Sequence, residues 1–431
     1  MRRRLAPGLV AGVALWGILT VACSSAVDGP APGGARWSGA IDSPDLPGPQ
    51  GPPLAVAWDD EARTDTLYRV SPRTMKLRGP VPLNARGTMG TDVSPDGSLL
   101  LTNFRGRVQV VDLREMRPVS RFAADVRGVR EVAWVDDDVA ILLASGRTKA
   151  RLVRVEPSTG TVLDVETIAG RYFTSADTGD GVVVLVHHLP QEPSKAPGPV
   201  TLAVMDAAGE FAAVRLDDIG AGVFSGPAGE ATTQAMPALA VRDSRATVVG
   251  TDGTIVSVDL NTLDVTVEGE NRSLLAAIAG WFVPPAHAKV FDGTVLSAEW
   301  AGPDALLVSG YSTEDLETRP AGAVLLDPDD WSATVVDEDA YFAHVARDHL
   351  LTWKYIMPGD DLGEGIGVRS YTPEGELEWG VFDGQFARLI ATHRGVAFVE
   401  HGRNRVLVSS VDLDTGKVLA SRFSYVRVLP P

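Results

Sequence analysis

From residue 54 onward, short β-branched runs alternate with polar turns, and the period is that of strands rather than helices. One type of run, closed by a turn residue, recurs eight times: LYRVS (67–71), VQVVD (108–112), LVRVE (152–156), LAVMD (202–206), IVSVD (255–259), AVLLD (323–327), VRSYT (368–372) and VSSVD (408–412). Their closing positions lie 40 to 53 residues apart, apart from one gap of 68. Most are followed by a turn and another β-prone segment, as in VEPSTGTVLDV and VDLDTGKVLAS. Upstream, the chain reads strand, turn, strand, as in GTDVSPDGSLLLTNFRGRVQVVDL, VREVAWVDDDVAILLASG and FARLIATHRGVAFVEH. Four strands per repeat make a small sheet that cannot bury both of its faces alone. Radial stacking of such sheets around an axis covers them, which predicts an all-β propeller.

Eight markers predict eight four-stranded blades, favoured over seven. The first repeat, LAVAWDDEARTDTLYRVSPRTMKLRGPVPL, has room for only three strands. The last repeat is followed by a spare segment, SYVRVLPP, which is expected to supply the missing strand and close the ring. The long gap holds NRSLLAAIAGWFVPPAHAK (271–289), where Leu274, Leu275, Ile278, Trp281 and Phe282 recur at helical spacing before Pro284-Pro285. That spacing predicts a short helical insertion packed on the propeller.

The SPDGSLLLT…GRVQVVDLRE stretch and the VDLDTGKVLA turn resemble the degenerate propeller repeats of the Trp-Asp-repeat-like (WD40-like) and YVTN types. The resemblance covers about residues 54 to 425 as architecture. It implies a fold and leaves the function open, because this architecture hosts enzymes, scaffolds and receptors alike.

The N-terminus adds a location. Arg2, Arg3 and Arg4 precede a short apolar run, Leu9 to Ala22, which has the grammar of a secretory signal peptide. Leu19-Thr20-Val21-Ala22-Cys23 is similar to the bacterial lipobox, although Thr20 stands where leucine is usual. The resemblance implies lipidation of Cys23, the only cysteine of 431 residues. Residues 24–53 are dominated by Gly, Pro, Ser and Ala and read as a tether. The expected organisation is therefore a signal peptide over 1–22, lipidated cysteine and tether over 23–53, and propeller over 54–431.

The formal charge of −17 repels phosphate backbones, which argues against nucleic-acid binding. A single cysteine leaves no disulfide, so stability must come from the core. No zinc-protease, phosphate-loop, nucleophile-elbow or haem-attachment motif is present, and no cofactor or metal is predicted. His187 and His188 adjoin at a strand end, where neighbouring side chains point apart, and are expected in a solvated loop rather than on one metal. Asp327, Asp329 and Asp330 space oxygens like a calcium loop, but Trp331 and Ser332 occupy positions that need a ligand and a glycine. Trp58, Trp134 and Trp300 recur at similar strand ends and are expected to pack sheet against sheet.

Loops at one end of a propeller commonly hold its site. Residues expected on that face are Arg127, Arg130, Arg171, Tyr172, His188, His344, Arg388 and His401, a mixture suited to an anionic or polar ligand. The sequence thus predicts an extracytoplasmic propeller, held in the bacterial envelope by a lipid anchor, that binds or assembles with an envelope protein or a small polar ligand. Two alternatives stay open. One is a propeller enzyme of lyase, hydrolase or quinoprotein type with its site at the channel mouth. The other is a sensor or ligand-presenting subunit of an envelope complex.

Overall fold

The structure is a computed structural model and describes residues 53–59, 64–83, 90–104, 107–123, 128–136, 138–146, 148–188, 198–225, 232–270, 293–314, 317–354, 365–402, 407–423 and 426–428. Every regular element among them is a β-strand. Six sheets are separate four-stranded antiparallel units: residues 54–82 with 426–428, then 90–123, 129–169, 238–270, 342–381 and 386–423. The remaining nine strands, between residues 171 and 337, form one sheet.

This pairing corrects the expectation of eight separate blades, or of seven. Six four-stranded blades stand alone, and the seventh sheet is a nine-stranded weld. The physical cause is the strand Phe211–Ser225, which is 15 residues long and continues past its own hairpin. After a register shift near Pro199/Val200 it pairs with Thr232–Met236. That short strand in turn runs parallel to Gly293–Trp300 through Ala235–Thr294 and Met236–Val295. No helix occurs among the described residues, and the helical insertion expected at 271–289 lies outside them.

Successive four-strand units pack side by side in chain order, and inner strands meet directly between Gly90–Val93 and Val129–Asp136, between Arg171–Asp177 and Ala238–Arg242, and between Ala238–Arg242 and Gly293–Trp300. Alternation along a strand sends successive side chains to opposite neighbours. Leu100 packs with Leu54, Val56 and Leu67 of the preceding sheet, whereas Leu101 packs with Val132, Trp134 and Leu142 of the following one. Val182, Val184 and Val186 likewise face the 129–169 sheet, while Val183 and Leu185 face Leu239 and Val248. Burial on both faces explains why the central strands read as unbroken apolar runs. The last strand of each sheet is the outer one and carries the exposed apolar residues, such as Val119, Val165, Val267 and Leu377.

The ring closes as expected from the spare C-terminal segment. Val426–Val428 pairs antiparallel with Leu54–Asp59 at Ala55–Val428, Val56–Arg427 and Ala57–Val426. Phe398 and Val408 of the last sheet share a cluster with Ala55, Val70 and Met75 of the first.

A repeated polar clamp accompanies this packing. The acid that closes several repeat markers caps its own turn: Asp112 accepts from the Arg114 and Glu115 amides, Asp206 from Glu210 and Asp412 from Thr415. The carbonyl one residue after the closing acid then accepts a side-chain donor from the preceding sheet. Arg69 donates to Leu113, Ser120 to Pro157 (2.6 Å), Arg154 to Ala207 (2.5 Å) and Trp379 to Leu413 (2.7 Å). Arg422 reaches from the last sheet to the Met75 carbonyl of the first at 3.2 Å.

The glycine of the same turn makes room for the incoming side chain. Gly416 has φ +66, and a Cβ built there would lie 2.7 Å from Cγ of Trp379. Gly160 stands in the same relation to Phe122. Gly416→Ala is therefore expected to destabilise the protein by about 2 kcal/mol or more, from combined backbone strain and displacement of the indole. A lowered midpoint in urea unfolding checks this; an unchanged midpoint contradicts the clamp.

Candidate functional site

The innermost strands carry acids within otherwise apolar sequence, and each acid is used between sheets. Asp92 accepts the Trp134 amide at 2.7 Å, and the Trp134 indole donates to the Asp92 carbonyl at 3.1 Å. Glu299 accepts the Val345 amide at 3.1 Å and pairs with Nδ1 of His344 at 2.9 Å. The other ring nitrogen of His344 lies 3.4 Å from Thr392, so this one histidine links three successive inner strands.

Glu131 is the most perturbed of these acids. It accepts hydrogen bonds from Tyr172 Oη and from Ser175 Oγ (2.9 Å), both on the next inner strand, Arg171–Asp177. Loss of hydration pushes its carboxyl up to about 7, against the lowering effect of Ser175. Among the described residues no arginine or lysine offsets that cost, so near neutrality the group is partly a neutral acid.

The residues expected on one ligand face are dispersed. Cys23 and Arg127 lie outside the described residues. Arg130 is half-buried on the strand Val129–Asp136. Tyr172 is buried against Glu131, and His344 is buried against Glu299. Arg388 forms an ion pair with its cross-strand neighbour Glu400 at 2.5 Å. His401 turns to the opposite face of that sheet, stacks on Phe382 with ring centroids 3.6 Å apart, and lies 2.8 Å from Ser409. Burial holds His401 down to about 4.

Arg171 and His188 do share one end of the nine-stranded sheet. His188 meets Thr201 at 2.8 Å. Between them sits a group the sequence misplaces. His187 is buried at 1% exposure as the last residue of Gly181–His187, rather than lying in a solvated loop. Its cross-strand partner is Arg171. Sequence alone also misses Asp92, Glu131 and Glu299, although a lone acid inside the apolar runs GTDV, VREVAWVD and TVLSAEW is a usable signal. The tryptophans behave as expected where described: Trp134 packs between sheets, and Trp300 does so beneath the Arg242 guanidinium, 5.0 Å from its ring centre.

Among the described residues, no group of three or more His, Cys, Asp and Glu side chains is arranged to hold a metal ion. The polar groups on the inner strands act chiefly as sheet-to-sheet ties.

These features define a β-propeller, and comparisons with solved structures agree. Dihydro-haem d1 dehydrogenase NirN, in complex with DHE, aligns at a TM-score of 0.54 with 13% identity, over 90% of this chain and 78% of that one. BamB from Moraxella catarrhalis aligns at 0.44 with 14% identity, over 77% and 87% of the two chains. AztD from Citrobacter koseri, in its apo form, aligns at 0.49 with 10% identity, over 88% and 96%. The NirN likeness supports the fold alone, and identities this low carry no activity across. No family model matches the sequence, and no curated protein is similar to it.

Opposed titrations should shape the stability of the protein. His187 and His401 are both held down to about 4 from an ordinary 6.5, so the unfolded chain binds their protons first. Their contribution is complete above about pH 6.5 and lost as pH falls towards 4. Glu131 is raised from 4.5 to about 7, so its contribution is complete below about 4.5 and lost as pH rises through 7. Unfolding stability is expected to peak between pH 6 and 7. Glu131→Gln should remove a decline of up to about 3 kcal/mol that is spread between about pH 4.5 and 7, so the variant gains more stability than the parent from pH 5 to 6.5. Urea midpoints at pH 5, 6.5 and 8.5 check this, and identical changes from pH 5 to 6.5 in both proteins contradict it.

Proposed function

We propose that the protein is an extracytoplasmic propeller, held in the bacterial envelope by lipid on Cys23, whose rigid body binds or assembles with another envelope component. One observation carries the binding reading. The polar inner-strand side chains Asp92, Glu131, Tyr172, Glu299 and His344 are consumed in ties between sheets, not gathered into a reacting constellation. Such ties make a stiff frame for loops, which suits recognition. The anchor and the location rest on the basic leader, its short apolar run and the lipobox-like Leu19–Cys23. The Gly/Pro-rich stretch 24–53 supports a tether that lets the body stand away from the membrane.

Cys23→Ser is expected to move the protein from the membrane fraction to the soluble extracytoplasmic fraction. Unchanged retention overturns the anchor. Purification from detergent-solubilised membranes is expected to recover a stoichiometric protein partner or a ligand that raises the melting temperature. Recovery of neither, together with turnover of a small substrate, overturns the binding reading in favour of an enzyme.

A further inference from the structure

Among the described residues with buried, unpartnered polar atoms, His187 is the one with a whole imidazole left so. His187 has neither Nδ1 nor Nε2 hydrogen-bonded, although the residue is 1% exposed. An imidazole left so is costly, because both nitrogens have given up water without replacement. A leucine or phenylalanine would fill the same place without that cost. His401 sits near the end of the corresponding second strand of its sheet and is satisfied by Ser409 and Gln385. The contrast places the anomaly at one position rather than in the repeat.

The surroundings of His187 point to one kind of ligand. Arg171 is its direct cross-strand neighbour, so the two side chains leave the same face of the sheet. Arg171 makes no ion pair or side-chain hydrogen bond among the described residues, in a chain of net charge −17. Burial, the Arg171 charge and the His188 ring oppose protonation of His187, and the adjoining His188 backbone favours it weakly without reaching hydrogen-bond geometry; among the described residues no carboxylate contributes. Phe173 closes one side, its ring centroid 5.9 Å from the imidazole. His188 and Thr201 stand on the adjoining strand end. An unpaired guanidinium beside an imidazole with free nitrogens is a set of donors awaiting acceptors.

We infer that Arg171 and His187 form a binding site for a small oxyanion, a carboxylate or phosphate group, with the guanidinium forking onto two oxygens and an imidazole N–H donating to one of them. The site deepens the binding-module reading by naming a ligand class. Its failure would be distinguishable, because it leaves membrane anchoring and recovery of a protein partner untouched. Anion binding restores the missing hydrogen bond and brings negative charge beside the ring, so bound anion should raise the proton affinity of His187. Binding should therefore tighten as pH falls from 7.5 towards 5.5.

The test follows histidine ring signals by NMR in the full-length protein, with inorganic phosphate and citrate as separate probes and chloride as the control. Saturable shifts of the His187 ring with phosphate or citrate, absent with chloride, are expected. Which probe binds tighter distinguishes a phosphate source from a carboxylate source. Arg171→Gln should weaken binding by roughly tenfold or more. His187→Phe should weaken it similarly while leaving the melting temperature of the anion-free protein equal or higher. Arg388→Gln, in a different sheet, should leave binding unchanged. No saturable shift with either probe overturns the site, as does binding that survives Arg171→Gln; a ring then satisfied by water alone is the remaining account. If His187→Phe does not fold, Arg171→Gln alone decides.

Discussion

Each four-stranded sheet of this protein is apolar on both faces, so none can be stable without a neighbour on either side. Leu100 and Leu101, adjacent in sequence, illustrate the constraint: one needs the preceding sheet and the other the following one. Nothing in such an arrangement tolerates an uncovered end, and a closed ring is the solution. The polar chemistry then serves that closure. A turn acid fixes the hairpin, the next carbonyl receives a donor from the sheet before, and the turn glycine clears the space. Hydrogen bonds add direction to contacts that hydrophobic burial alone would leave free to slide.

The same constraint explains the ionisable residues at the centre. Inner strands crowd together, and an acid there either finds donors across the gap or gives up its charge. Asp92 and Glu299 find backbone amides, and Glu299 finds His344 as well. Glu131 finds only hydroxyls, and its carboxyl is displaced towards neutrality. Acids at similar places in the strands thus meet different partners across the gap, backbone amides for Asp92 and Glu299 and hydroxyls for Glu131.

Much of the architecture is legible from the sequence because its causes are local. Turns such as EPSTG and DLDTG, β-branched runs and the spare SYVRVLPP segment declare themselves within a few residues. The nine-stranded weld does not. It depends on Phe211–Ser225 overrunning its hairpin and on two parallel pairings between residues nearly 60 apart, which no local pattern encodes. Site residues suffered from a related ambiguity. Arg388 and His401, expected together on one face, leave opposite faces of their sheet because of how their two strands are paired, and whether His187 ends inside or outside depends on where its strand stops. An error of one residue there exchanges a solvated loop for a buried ring.

Closure by Val426–Val428 has a consequence for how the molecule comes into being. A linear stack of sheets can form from its first repeat onward, and loss of its final strand frays only the end. Here the first sheet lacks its inner strand until Val426–Val428 is in place, and one face of the last sheet has no partner until the first is complete. The whole ring therefore waits on its most C-terminal strand. Every earlier stage exposes two apolar faces at once, and the chain must be kept from aggregating until its two ends meet.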